Sequence, residues 1–304
     1  MFITSDSTRG VAYHWRMQKL PVMLAPPPRS VPLSLRLLNI FNGPGQIGWL
    51  IFGFGMIFGW AFVGNADFSW LTFREPLAQS AGRVTSVVPT GASVNRRRVM
   101  AHHYEFSVAG STLHGTSYSD GESKSAGDEV TIEYDAGHPE RSRIAGMRRA
   151  PFTAVVAFVM IFPFIGAVFV FFAMRAGLRR NRLLRHGILA EGKLTGRERT
   201  NVVVNGHPVW ALTFEFTARD GRRHQAIART SDTARLEDEA QEPLLYDPDR
   251  PESAYILDEA PARPEFEPNG ELRGRPSGYL SVIIPGIVIA ANLLMLAYKM
   301  MGWL

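Results

Sequence analysis

The stretch PFTAVVAFVMIFPFIGAVFVFFAM, residues 151–174, holds 24 residues without one charge. At about 1.5 Å of rise per helical residue it is longer than the ~30 Å hydrocarbon core of a bilayer is thick. Two further charge-free runs, Ile47–Gly64 and Tyr279–Tyr298, have 18 and 20 residues. A mean hydropathy of -0.03 and a charged fraction of 20% would suit a soluble protein. That average conceals three spanning-length apolar segments separated by polar ones, a distribution that excludes a purely soluble chain. The absence of cysteine excludes disulfides, thiolate nucleophiles and cysteine-ligated metals.

Charge, divided along the chain, sets the topology. Residues 1–46 carry five Lys/Arg and one acid, and Arg175–His186 carries five arginines and no acid. Residues 65–150 balance ten basic against ten acidic side chains, and residues 187–278 hold twelve against seventeen. The net charge of +5 therefore sits at the borders of the apolar runs. This is the pattern that orients membrane proteins, and it gives no basic face for nucleic acid. The first run starts too late for a secretory signal peptide. The expected threading has the N-terminus in the cytoplasm, residues 65–150 outside and residues 187–278 inside. Arg141, Arg143, Arg148 and Arg149 oppose it by flanking the second run on its outer side. A re-entrant second run, with Pro163 near its middle, would instead put both polar segments on one face.

Pro26, Pro27, Pro28 and Pro32 block helix in the N-terminal segment, so residues 1–46 read as largely disordered, with Met17 and Met23 as alternative starts. No Asp, Glu, Lys, Arg or His lies within the runs and Asn292 is the one amide, which argues against an ion pathway. Gly55 and Gly59 form a small-xxx-small pair of the kind that lets helices approach closely, including those of a homo-oligomer.

The polar segments repeat each other. A shift of 110 residues aligns Gly82-Arg83-Val84-Thr85 with Gly192-Lys193-Leu194-Thr195, Asn95 with Asn205, and Tyr104-Glu105-Phe106-Ser107 with Phe214-Glu215-Phe216-Thr217. A shift of 112 aligns Tyr134-Asp135 with Tyr246-Asp247 and Ile144 with Ile256. In the second copy Trp210, Leu212, Phe214 and Phe216 alternate with smaller or polar residues, between Asn205-Gly206 and Asp220-Gly221 turns. Strands are expected near residues 198–204, 208–218, 222–230, 243–246 and 253–257, with a helical turn within 231–239. Five short strands per copy favour closure into a small OB-like or SH3-like antiparallel barrel. The fold class is thus three membrane helices plus two repeated β-domains: residues 47–64, 151–174 and 279–298 as helices, 78–148 and 187–260 as β-domains.

Candidate chemistry is sparse. His102 and His103 point to opposite faces of a strand, and His102 takes the apolar position of Leu212. His103 shares a face with Glu105, and hairpin pairing about Ala109-Gly110 brings His114 opposite Glu105. These three form a geometrically possible metal site, although the second copy has Thr213 in place of His103. The acidic run Glu237-Asp238-Glu239 with Glu242 lacks the spaced ligands and glycine of a calcium loop and reads as a solvated surface. Arg96-Arg97-Arg98 falls at a loop tip, where anionic headgroups or an acidic partner would meet it. No nucleophile elbow, phosphate-binding loop or His-Glu-x-x-His sequence occurs, so no catalytic, cofactor-binding or metal residue is assigned.

The blocks Phe52-Gly53-Phe54-Gly55-Met56-Ile57-Phe58, Gly64-Asn65-Ala66-Asp67-Phe68, residues 143–152, Leu212-Thr213-Phe214-Glu215-Phe216 and Leu245-Tyr246-Asp247-Pro248 resemble an uncharacterised family of bacterial membrane proteins. That family joins membrane spans to a small β-domain of unknown function with a terminal Tyr-Asp-Pro turn. The first copy departs from it at Tyr134-Asp135-Ala136. The resemblance implies a bacterial membrane location and carries no site residue. The resulting expectation is a non-enzymatic multi-pass protein displaying two β-modules for interaction, scaffolding or sensing. Its partners are the bilayer and other membrane or envelope proteins, and it needs no cofactor. A metal-dependent enzyme or sensor using His103, Glu105 and His114 is the alternative.

Overall fold

The computed structural model describes residues 24–73, 76–121, 124–238, 240–259 and 264–301. In chain order the elements are α1 (Leu33–Phe41), α2 (Pro44–Phe62), β1 (Ala66–Asp67) and α3 (Ser69–Thr72). The strands of a first sheet follow: β2 (Ala78–Val94), β3 (Arg97–Val108), β4 (Ser111–Ser119), β5 (Glu129–Asp135) and β6 (His138–Ile144). After β7 (Phe152–Thr153) and α4 (Ile161–His186) comes a second sheet: β8 (Ile188–Val204), β9 (His207–Thr217), β10 (Arg223–Thr230), β11 (Glu242–Asp247) and β12 (Arg250–Ile256). Helices α5 (Ser277–Leu280) and α6 (Ile283–Met301) end the described chain. Two compact units result, one from residues 37–178 and 276–304, the other from residues 1–36 and 179–275.

In the first unit three helical stretches, Pro44–Asn65, Ala154–His186 and Ser277–Met301, are long and apolar enough to cross a membrane, the second of them continuing into the other unit. Their outward residues, among them Phe54, Ile57, Phe164, Phe171, Ile287 and Leu294, are exposed, as lipid contact requires. Pro163 is the third residue of α4, behind a 3-10 stretch at Ala154–Met160, so it stands in a first turn that proline tolerates. The glycines of α2 serve contacts within the chain. A Cβ on Gly55 would lie 2.5 Å from Pro163 Cδ, one on Gly59 3.0 Å from Met160 Sδ, and one on Gly166 2.4 Å from the Phe52 nitrogen. Asn292 accepts a 2.9 Å bond from the Trp60 indole and donates to the Val288 carbonyl, which joins α6 to α2.

Both sheets have five antiparallel strands, in the orders β4-β3-β2-β5-β6 and β10-β9-β8-β11-β12. Each has three register shifts, and they fall at matching places: Val84/Ser86 and Leu194/Gly196, Pro89/Ser93 and Arg199/Val203, Tyr134/Asp135 and Tyr246/Asp247. At the middle shift the Thr90 hydroxyl donates to the Val99 carbonyl and accepts from the Ala92 amide, and Thr200 does the same with Val209 and Val202. Gly82 and Gly192 sit where the central strand closes over its neighbour: a Cβ would fall 2.6 Å from Ile132 Cγ1 and 2.7 Å from Leu244 Cδ2 respectively. The expected barrel closure is not formed. Among the described residues the hydrogen-bond ladders leave both sheets open, and in the first the Tyr118–Arg148 bridge and an Ile144 amide bond to Ser117 Oγ link the edges. Bulges coil each sheet around its apolar face, but among the described residues the two edge strands of neither sheet are joined by a continuous ladder.

In the second unit the N-terminal segment is packed from Leu24 onward, so the expectation of disorder over residues 1–46 is corrected for the described part; residues 1–23 lie outside it. Val31 and Leu35, at 3% and 1% exposure, pack with Leu183, Leu184, Leu245, Tyr255, Leu257 and Leu272. Buried Arg29 caps the C-terminus of α4: its guanidinium donates to the carbonyls of Leu184 and Gly187 and its amide to that of Arg185. These are carbonyls a helix end otherwise leaves unpaired. The prolines prevent helix at residues 26–28 and thereby keep the segment extended for this contact.

Replacing Gly166 by Ala drives a methyl into the α2 backbone and is expected to destabilise the helical unit by about 1–3 kcal/mol. Gly286→Ala, where nothing lies within 4 Å, should be neutral or slightly stabilising. Reversible unfolding in mixed micelles compares the two.

Candidate functional site

The interior of the first sheet is polar where that of the second is apolar. His102 and Ser117 are cross-strand partners on β3 and β4, both at 0% exposure. Tyr104 and Ser142, at 1% and 3%, join hydroxyls at 2.9 Å. Ser117 Oγ accepts the Ile144 amide at 2.9 Å, and the Lys124 amide donates to His102 Nε2 at 3.4 Å. In the second sheet Leu212, Phe214, Ala228 and Ala254 hold the four matching register positions. Four positions changed together make this cluster the most distinctive chemistry of the first sheet. Comparison of the two copies places His102 inside, at the position of Leu212, but the cluster emerges only with the register of β4 and β6.

Burial lowers the pKa of His102, with help from the Lys124 charge; the Met100 and Ser117 backbone nearby oppose it only in part, and no well-formed hydrogen bond reaches Nδ1. The imidazole is therefore held neutral. Among the described residues no hydroxyl of Tyr104, Ser117 or Ser142 makes a side-chain hydrogen bond to His102, so the geometry is that of a buried polar core and not of a nucleophile–base pair.

His103, Glu105 and His114 lie on the opposite face of the hairpin. Glu105 and His114 are opposite each other as expected, and His103 is opposite Thr116, whose hydroxyl contacts its Nδ1 at 2.9 Å. Their ligand atoms are not gathered. The one group of three or more such side chains within 4.8 Å among the described residues is Asp238, Glu242 and Asp258. Glu242 and Asp258 are buried, at 1% and 7% exposure, which corrects the reading of Glu242 as part of a solvated surface; Glu239 lies outside the described residues. An all-oxygen set of this kind suits a hard cation by chemistry alone.

Two clefts lie apart from these groups. One of about 510 Å³ is lined by Arg182, Leu183, His186, Gly187, Asp247, Pro248 and Asp249. Here the Tyr-Asp-Pro turn has a physical role: Asp247 accepts the Asp249 amide through one oxygen and pairs with Arg182 and Arg250 through the other, while Tyr246 Oη accepts the Arg219 amide. Arg29, held by helix-end carbonyls, and Arg182, held by Asp247, belong to the basic residues that in sequence read as topology signals. The other cleft, about 400 Å³, adjoins the Asn95-Arg96 turn. No protein-family model and no curated protein matches the chain.

With the folded pKa of His102 lowered from 6.5, the unfolded chain binds the extra proton. Stability of the first sheet should be flat above that pH and fall below it, with a limiting slope of about 1.4 kcal/mol per pH unit. Amide exchange of β3 and β4 between pH 5 and 7.5 reads this, with the second sheet as internal reference. His102→Leu should remove the dependence.

Proposed function

We infer that this is a non-enzymatic three-span membrane protein that displays two copies of one β-module, on opposite sides of a bacterial cytoplasmic membrane, as an interaction, scaffolding or sensing component. The carrying observation is the packing of Val31, Leu35 and Arg29 into the unit of the second sheet. That segment precedes the first span and the sheet follows the second. They can meet only if the chain crosses an even number of times between them, which favours full crossing by α2 and α4 over a re-entrant second run. The first module then falls on the other face.

The four arginines that opposed this threading are engaged locally. Arg143 pairs with Glu133 at 2.9 Å, Arg148 with Asp120 at 3.2 Å, Arg143 and Arg149 stack on Phe73, and Arg141 reaches the Thr72 carbonyl. Arginines committed to folded contacts weigh less as topology signals, and since Arg180 and Arg182 are also engaged, by Tyr255 and Asp247, the reading rests on the packing of the N-terminal segment more than on charge. The sheet edges support recruitment by strand addition: among the described residues β4 and β10 each ladder with one strand only, their other side engaged at Tyr118 by Arg148 and at the Arg229 amide by Glu259. The matching bulges support common descent of the two modules.

A photo-activatable side chain at His114 on β4 or at exposed Ile227 on β10 should yield discrete protein adducts in cells, with different partners for the two positions. Adducts no more specific than those from lipid-facing Leu294 would contradict the reading.

A further inference from the structure

We propose that the Arg96-Arg97-Arg98 hairpin tip is a docking surface for anionic phospholipid headgroups on the membrane that holds the helices, which rests on the reading of α2 and α4 as spans. All three arginines are exposed, and among the described residues none makes an ion pair. Arg143, Arg148 and Arg149 near the border of the apolar helices are engaged, and Asp120, which lines the cleft beside Arg97, is paired with Arg148, so this turn is left with three adjacent exposed guanidiniums. Arg96 has φ +66° beside Asn95 at +51°, and the matching turn of the second sheet uses Asn205-Gly206 at +50° and +80°. An arginine stands where the backbone favours glycine, and the second copy has no arginine in its turn.

The place of the tip selects the partner. Met100, just inside the tip, pairs with Ser119, and adjacent Tyr118 forms a two-bond bridge with Arg148, at 2.7 and 3.1 Å. Arg149 donates its amide to Asp67 at 2.7 Å, and Ala66 pairs with Phe152, so both chain segments leaving the apolar helices meet here. Arg97 is three residues, about 10 Å, beyond Met100. The guanidiniums are thus tethered close to the border of the apolar helices, where a dense anionic surface attracts them more persistently than a diffusing acidic protein.

The test uses the full chain, which has no native cysteine, with Ser93→Cys carrying a fluorophore opposite Arg98. The protein is reconstituted into vesicles of phosphatidylcholine alone or of an equimolar mixture with phosphatidylglycerol, with quencher on the headgroups. Quenching should be severalfold stronger in the mixture, fall with added salt, be lost in R96A/R97A/R98A and return in R96K/R97K/R98K, which keeps the charge if the alanine variant misfolds. Equal quenching in both vesicles, or a lysine variant that behaves like the alanine one, would overturn the proposal. So would the same fluorophore response from inorganic phosphate or polyglutamate added to phosphatidylcholine vesicles, the signs of a free-anion site or an acidic protein partner. Failure to co-float with either vesicle would refute the membrane reading instead.

Discussion

The rest of the architecture depends on how the end of α4 is buried. Leu183 and Leu184, each 2% exposed, share one buried cluster with Val31 and Leu35 of the N-terminal segment and with Leu245 and Tyr255 of the second sheet. Each such side chain contributes about 1.5–3 kcal/mol on burial. The half-exposed Arg182 adds at most about 1 kcal/mol by pairing with Asp247, so packing decides the seam and the ion pair sets its register. Arg29 completes it by satisfying helix-end carbonyls that burial would otherwise leave unpaired, a cost of about 1–3 kcal/mol each. A contact between a segment before the first span and a sheet after the second constrains the number of crossings more strongly than flanking charge does.

The same seam explains how one β-scaffold is used in two ways. On the outward face of the closing strands the second sheet has Leu245 opposite Tyr255, covered by the N-terminal segment and α4. At the matching positions the first sheet has Glu133 opposite Arg143, an ion pair suited to a less buried face. Inside, the difference reverses: His102, Tyr104, Ser117 and Ser142 replace Leu212, Phe214, Ala228 and Ala254. The first sheet places its polarity in the core and an arginine turn at its tip. The second, covered by its own chain, has an apolar core and a buried outer face.

Much of this was legible in the sequence. Charge-free runs gave the helices, and period-two alternation with Asn-Gly and Asp-Gly turns gave the strands, because both depend on local pattern. The central position of β8, which begins at Ile188 and pairs with both β9 and β11, was not legible, since pairing between distant strands leaves no local mark. Arg29 escaped because a buried arginine and a topology arginine look alike in sequence. The clearest overlooked signal was Leu244-Leu245 followed by Tyr255: adjacent apolar residues on a strand indicate that both faces are covered. For the site, His102 was placed correctly by comparison of the copies, while the acidic cluster of Asp238, Glu242 and Asp258 depends on a chain reversal that spacing does not encode.

Amide hydrogen exchange on the full chain in lipid nanodiscs tests the central claim most directly. If the N-terminal segment belongs to the second-sheet unit, residues 29–36 should be protected together with residues 183–187 and strand β11, and Arg29→Ala should loosen all three. Exchange of residues 29–36 at the rate of an unstructured chain, with β11 still protected, would contradict the account and remove the packing argument for two crossings.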